Sequence, residues 1–406
     1  MTKKHLLVAG TFVVLLGALA VTESVLNQRV DAQEAGGTVR APRFEVDPLW
    51  PKPLPNNWIL GQAIGVWADE QDLVWIVHRG SATLADTEKA LELKNGECCA
   101  AAPPVLAFDA AGNLVRSWGG PGQGYDWPSA NHGIFVDHLG SVWIGGNGPG
   151  DSHLVKFTKD GKFLQQFGRP DARRGPPNAQ GQPTYVGGSN DQQNFGRIAK
   201  IFVDPKANEA FLADGYLNKR VAVVDGASGK MKRYWGAYGN KPDDTPVPAY
   251  DPAAPPAQQF RNPVHCAMLS LDGLLYVCDR NSDRLQVFKP DGTFVREVFI
   301  TRGTKASGSV WDVAFSRDPQ QQYLYVTDGM NNRVYVLRRD TLEVLTSFGT
   351  GGRQPGQFFG VHSIASDSKG NLYTTETWEG KRLQKFVYRG IASVPRRHQG
   401  VVWPRS

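Results

Sequence analysis

VHCAMLSLDGLLYVCDRNSDRLQVFKPDGTFVREVF, running from Val264 to Phe299, holds the repeating unit of this chain. Four short runs of β-branched, aliphatic and aromatic residues are separated by Asp272-Gly273, by Arg280 to Asp283, and by Asp291-Gly292. Runs of this length and composition, bounded by Gly, Asp and Asn, are β-strands joined by tight turns.

The same register returns in HGIFVDHLGSVWIGG from His132, AKIFVDPKANEAFLADGYLNKRVAVVDGASG from Ala199, WDVAFSRDPQQQYLYVTDGMNNRVYVL from Trp311 and VHSIASDSKGNLYTTETWEGKRLQKF from Val361. A weaker copy opens with IGVWADEQDLVWIVHRG at Ile64 and continues at VLAFDAAGNLVRSWGG. Six four-strand copies, spaced by roughly 40–50 residues, predict an all-β fold: a six-bladed β-propeller. Its expected span is residues 44–403. Two sandwich domains would not produce one recurring register. The last copy lacks a fourth strand, which Arg43 to Trp50 or Gly400 to Trp403 is expected to supply. Insertions at Ser81 to Pro104, Gly168 to Arg197 and Asn240 to Arg261 are rich in Pro, Gly, Ala and polar residues and read as loops.

Ahead of the repeats, Lys3, Lys4 and His5 precede an apolar run from Leu6 to Val21. Residues 1–32 read as a secretory signal, with a small-residue site at Val30-Asp31-Ala32, or as an N-terminal anchor. Either places the folded part outside the cytoplasm, secreted or periplasmic, with no other membrane association. The net charge of +6 comes from scattered Lys and Arg, which argues against nucleic acid as a partner and suits an anionic substrate. Four cysteines, Cys98, Cys99, Cys266 and Cys278, are too few for a disulfide scaffold. Cys266 and Cys278 fall on neighbouring strands, where register decides whether they pair. Nothing in the sequence signals an oligomer, and a monomer is expected.

Aligned on the first strand of each copy, the leading positions read Ile64, His132, Ala199, His265, Trp311 and His362. The first strand of a blade lines the propeller axis, and alternate blades of six lie about 120° apart. His132, His265 and His362 can therefore converge on one point. Histidine is 8 of 406 residues, so three matches at six positions arise by chance about once in 10⁴. Three imidazoles with an open fourth position form a catalytic zinc arrangement; another divalent transition metal would fit the same ligands. His138, in a turn, and His153, beside a strand, show no such pattern and read as surface residues. The second strand of each blade returns to the histidine face. There the chain places Arg79, Tyr216 and Arg280, with Met330 and Trp378 as counterparts. Paired guanidiniums suit a carboxylate. A phenol beside a metal ion is a candidate base.

The repeats resemble NHL repeats: PGQF at Pro355 to Phe358 and the DRNSDRLQVF segment are similar to that consensus. The site set resembles the peptidyl-α-hydroxyglycine α-amidating lyase family. NHGIFVD, VHCAMLSLDG and VHSIASDSKG resemble its three zinc-binding strands. Asp214-Gly215-Tyr216 resembles its catalytic Tyr motif, and His78-Arg79-Gly80 and Asp279-Arg280 resemble its substrate-binding Arg motifs. The resemblance implies zinc on His132, His265 and His362, Tyr216 as base, and Arg79 and Arg280 on the carboxylate of a small or peptidyl N-acyl-α-hydroxyglycine. The products would be an amide and glyoxylate.

Several positions depart from the family. Asn131, Val264 and Val361 replace the Pro that precedes each ligand His. The family's cysteine pattern is not reproduced. Ser363 follows the third His where the family has an Asp that helps bind structural Ca2+, removing a carboxylate from that site. The chain has no counterpart of the copper monooxygenase domain that makes the substrate in animal versions, so a substrate of other origin is expected. Two other readings stay open: a metal-dependent lactonase or esterase, and a non-catalytic propeller that binds a peptide or glycan on this face.

Overall fold

The computed structural model describes residues 37–404; the expected leader at residues 1–32 lies outside the described residues. Six four-stranded antiparallel sheets form the six expected blades. The innermost strands are Ala63–Ala68, Asn131–Val136, Ile198–Asp204, Val264–Leu269, Asp312–Phe315 and Val361–Ser366. In the first five blades the innermost strand is followed outward by its neighbours in chain order, as in Val264–Leu269, Leu275–Asp279, Arg284–Phe288 and Phe294–Phe299. Apolar side chains from facing sheets interlock. Phe211, Val221 and Val223 of the third blade meet Val264, Leu275 and Val277 of the fourth.

Two polar devices hold the register. The first closes the turn between the first two strands. In the second blade Asp137 accepts the N–H groups of Leu139 and Ser141, and its other oxygen takes Trp143 Nε1–H at 2.7 Å. Asp69 with Trp75 and Asp367 with Tyr373 repeat this at the same spacing. A short acidic side chain that satisfies turn N–H groups is an Asx-type turn. The second device lies at the opposite end of the blade. An acid ending the second strand pairs with an arginine near the start of the third: Asp214 with Arg220, Asp279 with Arg284, Glu376 with Arg382. Arg220 also donates to the carbonyls of Ser189, Asp191 and Asn194, and Arg284 to those of Ala257 and Gln259. Each buried guanidinium therefore ties down the loop that leads into its own blade.

The ring closes through the N-terminal strand Thr38–Asp47, which pairs antiparallel with Leu383–Pro395. Of the two expected candidates, the N-terminal one supplies the strand, and it begins upstream of position 44. The C-terminal tail lies across it, with the Val402 carbonyl accepting the N–H of Val46. The three insertions lie on the histidine face. They are not wholly irregular: Ala90–Leu93 is a helical turn, and Arg174–Gly175 pairs with Thr184–Tyr185. Cys266 and Cys278 stand directly opposite each other, 4.8 Å apart at Cα, and are joined. Cys98 and Cys99 are joined to each other. Among the described residues no helix is long and apolar enough to cross a membrane.

Arg284 and Asp279 are fully buried, so removing one charge strands the other. Arg284→Met is expected to cost about 3–5 kcal/mol of stability, read from urea unfolding. A cost below about 1 kcal/mol would show that the Ala257–Gln259 loop is held by other contacts.

Candidate functional site

Five of the six innermost strands carry a register slip at their first residues. The slips bracket Ile64, His132, Ala199, His265 and His362. A β-bulge inserts one residue and re-aims its side chain. Here the bulges turn the leading residues of the strands onto the axis. The imidazole centroids of His132, His265 and His362 lie 4.8–5.1 Å apart, a nearly equilateral triangle.

The three rings are held alike. His132 Nδ1 bonds the carbonyl of Ala199 at 2.7 Å, His265 Nδ1 that of Trp311 at 2.5 Å, and His362 Nδ1 that of Ile64 at 2.7 Å. Each acceptor is the aligned position of the next blade. A carbonyl can only accept, so each Nδ1 carries the proton and each Nε2 keeps its lone pair toward the axis. Burial, reinforced by neighbouring charged groups that include Arg280, holds all three imidazoles well below their ordinary pKa, in the neutral form a metal requires. One ligand atom from each ring lies within 4.8 Å of the others. The donor set fits a divalent transition metal: three neutral nitrogens, each backed by a hydrogen bond that fixes its tautomer.

Tyr216, Arg79 and Arg280 are on the same face. The Tyr216 hydroxyl lies 2.9 Å from His132 Nε2 and 3.0 Å from His265 Nε2, and accepts a hydrogen bond from Arg280 Nη1 at 3.1 Å. Arg280 also lies over Trp311, 4.5 Å from its centroid, and Trp311 packs edge-on against Trp378. Arg79 donates to Gln62 Oε1 and Asn147 Oδ1. Burial pulls its pKa down, opposed by the Tyr216 phenol and Asp151. Neither arginine forms a salt bridge among the described residues. Two half-buried guanidiniums without a carboxylate partner among the described residues keep N–H donors available to an anion.

Sequence alone did not reveal the residues that hold these groups: Gln62, Asn147 and the stacking role of Trp311. It also passed over the next layer along the axis. Lys200 Nζ lies 2.5 Å from Asp312 Oδ2 and 3.2 Å from Ser363 Oγ. Opposite charges at one aligned position of the third and fifth blades were the available signal. His153, read as a surface residue, is 1% exposed and bonded to the Asp126 carbonyl, because its strand lies inside the second blade. His138 is half-buried.

Two recesses open off the face. One, of about 800 Å³, is lined by Arg79, Trp58, Trp127 and Pro103. The other, of about 610 Å³, is lined by Lys219, Tyr250, Arg261 and Asn281. A more apolar funnel of about 430 Å³, over Trp67, Phe135 and Phe202, opens at the far end of the axis, away from the histidines.

No family model matches the chain. It is 26% identical over 314 residues to NHL repeat-containing protein 3 of Mus musculus, covering 75% of this chain and 70% of that protein. It is 24% identical over 259 residues to peptidyl-glycine alpha-amidating monooxygenase A of Xenopus laevis, covering 63% of this chain and 24% of the relative. The chain thus spans about a quarter of that relative's length. A solved streptogramin B lyase matches with a TM-score of 0.51 at 13% identity, over 86% of this chain and 98% of that one, a likeness of fold.

His265→Ala is expected to reduce bound transition metal from about one per chain to almost none, by elemental analysis of dialysed protein, since two imidazoles make a weak site. Retention of metal by that variant would place the ion elsewhere. His78 supplies a pH test. Its ring accepts from Gly61 and Gly80 and faces the Pro103 carbonyl, and burial lowers its pKa from 6.5 to about 4. The folded value lies below the unfolded one, so the unfolded chain takes up the proton first. This contribution to stability is whole above pH 6.5 and is lost as pH falls toward 4. The melting midpoint is expected to drop across that window; a flat profile would contradict it.

Proposed function

We propose that this NHL-repeat propeller is a metal-dependent carbon–nitrogen lyase, cleaving an N-acyl- or peptidyl-α-hydroxyglycine to an amide and glyoxylate. One observation carries the reading. Two arginines that have no carboxylate partner among the described residues lie on the face of a phenol that accepts from one of them and touches two of three converging, neutral imidazoles. The arginines call for an anionic substrate, and the imidazoles would hold a divalent metal. The similarity to peptidyl-glycine alpha-amidating monooxygenases, of whose length the chain spans about a quarter, supports a reading as an amide-forming enzyme.

A bound divalent metal, zinc or a similar ion, would supply Lewis-acid polarisation at the histidine triad. The rest is done by the chain. Arg79 and Arg280 hold the substrate carboxylate, and fixing it sets the α-carbon against Tyr216. The Tyr216 oxygen takes the proton of the α-hydroxyl, and the Arg280 N–H aimed at it stabilises charge during the transfer. The hydroxyl oxygen forms the aldehyde C=O as the C–N bond breaks. The electron pair goes to nitrogen, which receives the proton back. Atoms and electrons balance without water or a redox partner. The recess of Trp58 and Trp127, which opens beside Arg79, accommodates the acyl group. The joined cysteine pairs suit an oxidising compartment, so we place the protein outside the cytoplasm. A lactonase-type site would need carboxylates as metal ligands on the axis, and the one supplied by the layer beneath the histidines, Asp312, is already paired with Lys200.

The test is glyoxylate release from α-hydroxyhippurate by metal-loaded protein. Tyr216→Phe is expected to lower kcat by about 10²-fold or more. Arg79→Gln is expected to raise KM chiefly, through loss of carboxylate binding. Near-normal turnover by Tyr216→Phe removes that residue as base. Ester hydrolysis without glyoxylate would replace the lyase by a hydrolase.

A further inference from the structure

Immediately beneath the histidine triangle the axis is filled by Lys200, Asp312 and Ser363. The side chains of Lys200 and Asp312 are 4% and 2% exposed. Asp312 Oδ2 accepts from Lys200 Nζ at 2.5 Å, from Ser363 Oγ at 2.5 Å and from the Ile364 N–H at 3.0 Å; its Oδ1 accepts from the Val313 N–H at 2.9 Å. A carboxylate this buried requires a cation beside it, because an unpaired buried charge is strongly destabilising. Lys200 reaches in from the third blade to provide one.

A hard divalent ion such as Ca2+ would need six to eight oxygen ligands. The layer does not offer them. Its one carboxylate already accepts from four donors, three of them on Oδ2. The carbonyls of Ile64, Ala199 and Trp311 just above are each engaged by a histidine Nδ1–H. The free space between the two layers is about 10 Å³, room for no more than a single water.

We infer that the Lys200 ammonium is a built-in cation for this axial position, so that the propeller holds one exchangeable metal ion, at the histidines, and stabilises its axis without a second. The inference does not depend on the reaction assigned to the site, and its readouts do not involve turnover.

Elemental analysis of the purified, zinc-loaded protein is expected to give about one transition metal per chain and negligible calcium. Millimolar calcium should leave its melting midpoint unchanged. The double variant Lys200→Ser with Ser363→Asp removes the ammonium and installs a second carboxylate. It should gain calcium-dependent stability, its midpoint rising by several degrees with calcium and not with magnesium. Stoichiometric calcium in the wild-type protein, or a calcium-dependent midpoint there, overturns the inference. So does a folded double variant that is indifferent to calcium. If the double variant does not fold even with calcium, the wild-type measurements decide alone.

Discussion

Everything at the centre of this molecule depends on one hydrogen bond made three times, from a histidine Nδ1–H to the main-chain carbonyl of the next blade. The donors sit in the second, fourth and sixth blades, the acceptors in the third, fifth and first. Each contact therefore staples two neighbouring inner strands, and the three together bind the six strands in pairs. The same contact fixes which nitrogen carries the proton and which faces the axis. Fold and site are consequently not separable here. A ring that slips by one residue loses its staples and its ligand geometry together.

The outer parts of the blades exist to make that centre reproducible. The acid–arginine pairs at the ends of the second and third strands lock the loops that deliver the innermost strands. The bulge at the head of five of the six innermost strands then re-aims their leading residues. Asp151 performs a similar service beside His132: it accepts from Ser129, Ala130 and Gly148 and so holds the segment entering the second blade. Position on the axis is thus set by buried polar contacts that have nothing to do with a substrate.

The fold was legible because the repeat is short, local and punctuated by residues whose turn chemistry is specific. The histidine triangle was legible for the same reason, since alternation around a ring survives in an alignment of copies. What stayed hidden depended on side-chain reach. Gln62 and Asn147 hold Arg79 from different blades, and no spacing rule connects them to it. Lys200 lies where most blades have a small residue, and its meaning appears only once Asp312 faces it across the axis. His153 was misjudged because a polar residue at a strand start resembles a solvated one, whereas here the outer strand Phe163–Gly168 covers it.

The closing strand Thr38–Asp47 pairs with Leu383–Pro395, and His362 stands in that last blade. Two of the three axial imidazoles are therefore synthesised well before the third, and the blade carrying the third is completed by the beginning of the chain. Such a pairing of distant segments is a high-contact-order event, expected late in folding. The histidine triad cannot be complete on a nascent or C-terminally truncated chain. A metal held by all three imidazoles would be acquired only by a finished ring, in whatever compartment the ring is finished.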